Sequence, residues 1–203
     1  VKHFAAYGGA LAGRDYNTVD MSERQLREMY LPGYKAGLDA GAKLVMTSFN
    51  TVDGIPATGN QWLFRDVLRN EFGFEGVVIS DWGAIKELIP HGVAKDEKQA
   101  AELAIKAGVD IEMMTTCYPD YLKELLEEGR IAETLIDEAV MRILKLKNEL
   151  GLFENPYRGA DEQAEAEVIL SKEHREIAKK IAQKSMVLLK NENILPFTPQ
   201  EKI

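Results

Sequence analysis

The chain has 203 residues, 45% of them hydrophobic and 29% charged, with a formal net charge of −8. That suffices for one large domain, or for one domain and part of another. The acidic balance argues against nucleic acid as a partner, because that partner needs a basic face.

Cys117 is the single cysteine, so no internal disulfide forms. No apolar run of about 18 residues is present, so a membrane is not an expected partner. No signal peptide is apparent. The compartment stays open, the cytoplasm being favoured over the periplasm or secretion. The chain starts at Val1 in mid-motif, which reads as a piece of a longer protein.

Val1-Lys-His-Phe4 reads as the end of a strand, followed by a Gly-rich connection from Ala5 to Met21. Ser22 and Gln25 form a capping box that starts a helix running to about Tyr30. Pro32 opens a second helical segment and Gly41 ends it. Lys43 to Asn50 is the next strand. Asp53-Gly54 and Pro56 mark a loop. Asn60 caps a helix over Gln61 to Phe72, which Gly73 closes. Val77 to Ile79 is a short apolar strand that stops at Ser80-Asp81-Trp82-Gly83.

The pattern then repeats. Lys98 to Ala107 is helical, with Ala100, Leu103, Ala104 and Ala107 on one stripe. Val109 to Met113 is a fourth strand. Helices follow over Tyr118 to Glu128 and Ile131 to Leu150, the latter with Ile136, Val140, Ile143 and Leu150 on its buried side. Residues 160 to 167 are acidic and Ala-rich and read as a solvated linker. Ser171 to Lys184 is a charged amphipathic helix, and Met186 to Lys190 an apolar strand.

Strand then helix, about four times over, predicts an α/β fold with a parallel sheet. The strand ends recur every roughly 30 to 45 residues, which suits an eight-fold barrel. The expected fold is a partial (β/α)8 TIM-type barrel of about four βα units, followed by the beginning of an α/β sandwich domain. The expected boundaries are 1–152 for the partial barrel, 153–170 for a linker and 171–203 for the second domain.

Ligands of parallel α/β proteins bind at the C-terminal ends of the strands. Asp81 and Trp82 sit at such an end and suit a ligand that is polar at its edges and apolar on its faces, such as a sugar. Asp81 also reads as the N-cap of a helix over Ala84 to Leu88. Lys2 and His3 end the first strand, Ser48-Phe-Asn50 the second, and Asp110 and Glu112 lie in the fourth, so all would share one rim. Taken alone, Lys2 reads rather as a solvent charge, and His3 as a satisfied core imidazole. In a regular strand the two would point to opposite faces. His3, His91 and His174 are the only histidines and none has a partner at metal-ligand spacing, so no metal or cofactor is expected. No phosphate loop or GxSxG nucleophile motif is present.

The segments Lys2-His-Phe4, Gly13 to Arg24, Val45 to Asn50, Gly76 to Gly83, Gly151-Leu-Phe153 and Ser185 to Asn191 together resemble glycoside hydrolase family 3, in particular its two-domain bacterial β-glucosidases. The resemblance implies a retaining β-glycosidase that takes a β-linked glucoside or oligosaccharide. It makes Asp81 the nucleophile, Lys2 and His3 the pair that binds glycone hydroxyls across a cis peptide, and Trp82 the aromatic flanking the sugar. Arg14 lies in a loop bordering the site. Phe49 stands where many members carry tyrosine, which removes one hydroxyl. The N-acetylglucosaminidase loop, with its Asp-His acid/base pair, has no counterpart here. The resemblance places the acid/base glutamate on the second domain, so none is expected in this chain. The missing barrel half and second domain, or a self-associating copy, are then the expected protein partners. The alternative reading is an incomplete half-barrel that only binds sugar or self-associates.

Overall fold

Four segments of the chain run side by side in parallel, in chain order. The computed structural model describes residues 1–159 and 161–197 and divides into two units, Val1–Pro156 and Tyr157–Ile203. In the first unit, Phe4 bridges Thr47 at the end of β1 (Leu44–Met46). A hairpin follows, of β2 (Thr51–Val52) and β3 (Ile55–Pro56). Its two turn residues, Asp53 and Gly54, have φ of 53° and 76°, the positive values that a two-residue hairpin turn demands. Then β1 pairs in parallel with β4 (Val77–Ile79), Val45 opposite Val78, and Ile79 bridges Ile111.

Helices cross between these segments. Ser22 accepts a hydrogen bond from the Gln25 amide (3.2 Å) and opens α1 (Glu23–Gln25). A wider π-type stretch, Leu26–Tyr30, runs into α2 (Leu31–Asp39). Asn60 caps the next helix through the Leu63 amide at 3.1 Å. That helix, Trp62–Glu71, also of π-type pitch, buries Leu63, Phe64, Val67 and Leu68, the spacing of one apolar face. Phe64 meets Phe4 with ring centroids 5.6 Å apart. A fully buried side chain of this kind contributes about 1.5–3 kcal/mol. Helix α3 (Glu97–Ala107) buries Ala100, Ala101, Ala104, Ile105 and Ala107. Gly108 ends it at φ 102°, in the left-handed region. After it come α4 (Cys117–Glu127) and α5 (Glu133–Glu149). Gly76 lets β4 start against its neighbour: a Cβ there would lie 2.3 Å from the Lys43 carbonyl oxygen.

Several elements differ from the sequence reading. The strand expected over Lys43 to Asn50 stops at Met46. Beyond it the Thr47 and Ser48 amides still bond the Ile79 and Phe4 carbonyls, and Ser48 Oγ and Asn50 Nδ2 both donate to the Ala5 carbonyl. The fourth strand reduces to the bridge at Ile111, because Met113 instead gives its amide to Ser80 Oγ (2.8 Å). On α5 the buried side is centred on Ala139, with Leu135 and Ile136 packed beside it. Val140 and Leu150, expected inside, are exposed.

In the second unit, the expected acidic linker contains a helix, α6 (Glu162–Val168), capped by Asp161 through the Gln163 and Ala164 amides. One well-placed carboxylate cap at the positive end of the helix offsets the composition. Ala160 lies outside the described residues. The helix α7 (Lys172–Ser185) starts from Ser171 as expected, with the His174 amide bonded to its hydroxyl. Met186 to Lys190 forms no ladder, since no neighbouring strand meets it among the described residues.

Candidate active site

The chain after β4 is pinned in place by hydroxyl groups. Thr47 Oγ1, itself 2.8 Å from Thr58 Oγ1, accepts from the Asp81 amide at 3.1 Å. Ser80 Oγ donates to the Asp81 carbonyl at 3.0 Å while accepting from Met113. This delivers the Asp81 side chain to the C-terminal end of the sheet, where the residue is only 8% exposed. Its Oδ1 accepts from the Trp82 amide at 2.7 Å. Its Oδ2 lies 3.5 Å from His3 Nε2 and makes no hydrogen bond. A buried carboxylate oxygen without a bond is costly unless a ligand meets it. The helical turn that follows, Lys86–Leu88, has Ile85 at its cap and no side-chain cap bond. The carboxylate of Asp81 is therefore not spent on a helix N-cap.

His3 reaches Asp81 from the first segment. The Lys2–His3 peptide is cis, and the His3 carbonyl accepts from the Tyr34 hydroxyl. A chain of rings leads outward from His3. Tyr7 packs edge-on at 5.4 Å, Phe49 lies 6.2 Å from Tyr7, and Tyr16 stacks on Phe49 at 4.3 Å. The Tyr7 hydroxyl donates to Asp15. Burial, and then that carboxylate, raise its pKa above the usual phenol range.

Of the residues singled out in the sequence, the structure joins His3 to Asp81 and stacks Phe49 into the ring chain. Trp82 is next to Asp81 but 62% exposed. Lys2 is exposed, and no ion pair ties it to Asp81 among the described residues. Arg14 is exposed and borders a shallow pocket with Tyr7, Gly13 and Asp15.

The two acidic groups of the fourth segment do not join the site. Asp110 is buried, bonded to Arg69 (3.0 Å), Arg142 (2.8 Å) and the Val78 amide (2.8 Å). Glu112 caps α4, taking the Cys117 amide on Oε1 (2.9 Å) and the Tyr118 amide on Oε2 (2.6 Å). Cys117 is buried, and that burial, with Glu112 beside it, pushes its thiol up to about 12. It stays a protonated thiol at neutral pH. No group of three metal-ligating side chains occurs among the described residues.

Sequence reasoning passed over Thr47, Tyr7, Tyr16 and Glu87. Glu87 is half-buried; burial, and then the charge of Asp81, raise its pKa. Only its place on the turn after Asp81 could have flagged it. The two tyrosines sit in the Gly-rich loop, whose path the sequence does not reveal.

The chain matches the family model described as glycosyl hydrolase family 3 N terminal domain over residues 1–146. It is 47% identical over 194 residues to a periplasmic beta-glucosidase of Salmonella typhimurium, covering 94% of this chain and 25% of that protein. A beta-xylosidase of Formosa agariphila is 37% identical over 206 residues, covering 97% of this chain and 28% of that protein. The crystal structure of beta-glucosidase from Listeria innocua in complex with isofagomine superposes with a TM-score of 0.90 at 58% identity, over 98% of this chain and 28% of that one. The chain thus spans about a quarter of the length of the curated relatives it matches. A parallel α/β sheet with a buried carboxylate at its C-terminal end, matched across most of its length, places the chain in glycosyl hydrolase family 3.

Proposed function

We propose that this chain is the nucleophile-bearing part of a retaining β-glycosidase acting on terminal β-D-glucosyl residues. The observation that carries the reading is the buried, unbonded Oδ2 of Asp81, facing His3 at the end of a parallel strand. The four parallel segments are then an arc of a (β/α)8 barrel, and residues 171–203 the start of a second α/β domain. The names of the relatives cover both glucosidases and xylosidases. A β-linked sugar whose ring lies over an aromatic residue is the common ligand chemistry.

In this mechanism Asp81 Oδ2 attacks the anomeric carbon as the bond to the leaving oxygen breaks, giving a glycosyl ester. A second carboxyl, supplied by polypeptide outside these residues, protonates the leaving oxygen and then takes a proton from water. The two carboxyls of retaining enzymes lie about 5–5.5 Å apart. His3 Nε2 and Lys2 Nζ orient the glycone hydroxyls, and Trp82 flanks the ring.

Incubating the longer polypeptide that carries this chain with a 2-fluoroglucosyl fluoride tests the assignment. A peptide containing Asp81 should gain one fluoroglucosyl mass, and Asp81→Asn should abolish both labelling and turnover while leaving the fold intact. A label on another residue, or near-normal turnover of Asp81→Asn, removes Asp81 from the nucleophile role.

A further inference from the structure

Thr47 stands between the two segments that carry His3 and Asp81. On one side it bridges Phe4, the neighbour of His3. On the other its amide bonds the Ile79 carbonyl of β4 at 2.9 Å. Its buried hydroxyl takes the Asp81 amide at 3.1 Å. Other bonds to Asp81 come from its own turn: Ser80 Oγ and the Ala84 amide reach its carbonyl, and the Trp82 amide reaches Oδ1. The Thr47 hydroxyl therefore ties Asp81 sideways, to the strand whose register also places His3. The gap it spans is the one that brings His3 Nε2 to 3.5 Å from Asp81 Oδ2.

A threonine in that position has a choice of staggered rotamers. Turning χ1 to another well moves the hydroxyl away and leaves the buried Asp81 amide unpaired, which is costly. Thr58 removes the choice. Its hydroxyl lies 2.8 Å from Thr47 Oγ1. Both residues are buried, so each hydroxyl is the other's partner in place of water. Whichever donates, Thr47 keeps a lone pair for the amide. The turn that carries Thr58, Ala57–Gly59, is itself held fast. The Ala57 amide bonds the Asn50 carbonyl at 3.0 Å, and the Asn60 amide bonds the Ala57 carbonyl at 2.9 Å. Gly59 lets it close on the turn after Asp81, since a Cβ there would meet the Leu88 side chain at 3.2 Å. Linked hydroxyls in a dry interior also strengthen one another.

We propose that Thr58 is a positioning residue that acts through Thr47: the hydroxyl pair fixes the Asp81 backbone and thereby the aim of Oδ2 past His3. This rests on the reading of Asp81 as the nucleophile, and the test separates the two. The longer polypeptide that carries this chain is labelled with 2-fluoroglucosyl fluoride over a range of reagent concentrations. The saturating rate reports attack by the nucleophile and the half-saturating concentration reports binding. Thr58→Val keeps the shape and removes the hydroxyl. Its saturating rate should fall about tenfold, the scale of one net hydrogen bond, with half-saturation unchanged. Thr58→Ala, a second side chain without a hydroxyl, should do the same. Thr58→Ser, which restores the hydroxyl without the methyl, should recover the parental rate. Thr47→Val should fall at least as far as Thr58→Val, and the double variant no further than Thr47→Val, because the two act as one unit. A Thr58→Val protein that unfolds at lower urea yet labels Asp81 at the parental rate overturns this inference alone, as does a Thr58→Ser protein as slow as Thr58→Val. A label on a residue other than Asp81 overturns the nucleophile reading and this inference with it.

Discussion

Asp81 is positioned mainly through its backbone: Thr47 holds its amide and Ser80 its carbonyl, so the side chain is aimed without being consumed. Glu87 feels that arrangement as a charge close by. Burial first, and then Asp81, raise the pKa of its carboxyl. A carboxyl with a raised folded-state pKa binds its proton more tightly folded than unfolded. Its favourable contribution is therefore full at pH below the unfolded value and is lost as pH rises through the folded one. Glu87→Gln keeps the shape and cannot ionise. It should be more stable than the parent at neutral pH, and the gap should close as the pH falls toward about 4, the ordinary glutamate range. Urea midpoints measured across that interval check the sign. A gap that stays constant with pH would show that Glu87 titrates alike folded and unfolded.

At the scale of elements, the fold is tied together at one ion cluster. Asp110, Arg69 and Arg142 come from the fourth segment, from the helix after Asn60 and from α5, and Asp110 also holds the β4 backbone at Val78. Burial pushes the Arg69 guanidinium down to about 10, against the pull of Asp110. Removing one partner of a buried ion pair costs about 3–5 kcal/mol, because the other charge is left uncompensated. Asp110→Asn should therefore cost about that much in urea unfolding, far more than a surface carboxylate. A loss below about 1 kcal/mol, the scale of an exposed pair, would mean that water reaches the cluster. The cluster also marks where sequence reading stops. The caps at Ser22 and Asn60 were legible because they are local. The strand end at Asp81 was legible because a buried apolar run stops abruptly there. Asp110 and Glu112 have the same sequence signature as site carboxylates. What separates them is the placement of Arg69, Arg142 and the α4 amides, contacts made in space. Strand length failed for the same reason: ladders depend on neighbours, and the side chains of Ser48, Asn50 and Glu112 bond to backbone groups of other segments there.

At the scale of the molecule, the described residues expose strand flanks and apolar stripes. The outer flanks of the Val1–Phe4 segment and of Ile111 carry no ladder partner among the described residues. Helix α5 exposes Val140, Met141 and Leu144. In the second unit Ile177 and Ile181 of α7 are exposed, as are Val187, Leu188 and Leu189. Open edges and apolar stripes favour association. The proposed retaining reaction also needs a second carboxyl about 5–5.5 Å from the first. Glu87 lies on the turn that follows Asp81, not on a separate element facing it. The 203-residue chain alone should therefore fail to hydrolyse nitrophenyl β-glucoside, and its sedimentation coefficient should rise with concentration. Hydrolysis by the purified chain that Asp81→Asn abolishes would place an acid/base within these residues, and Glu87→Gln would be the first variant to assay. A concentration-independent monomer would instead show that the exposed stripes are too small to drive pairing by themselves.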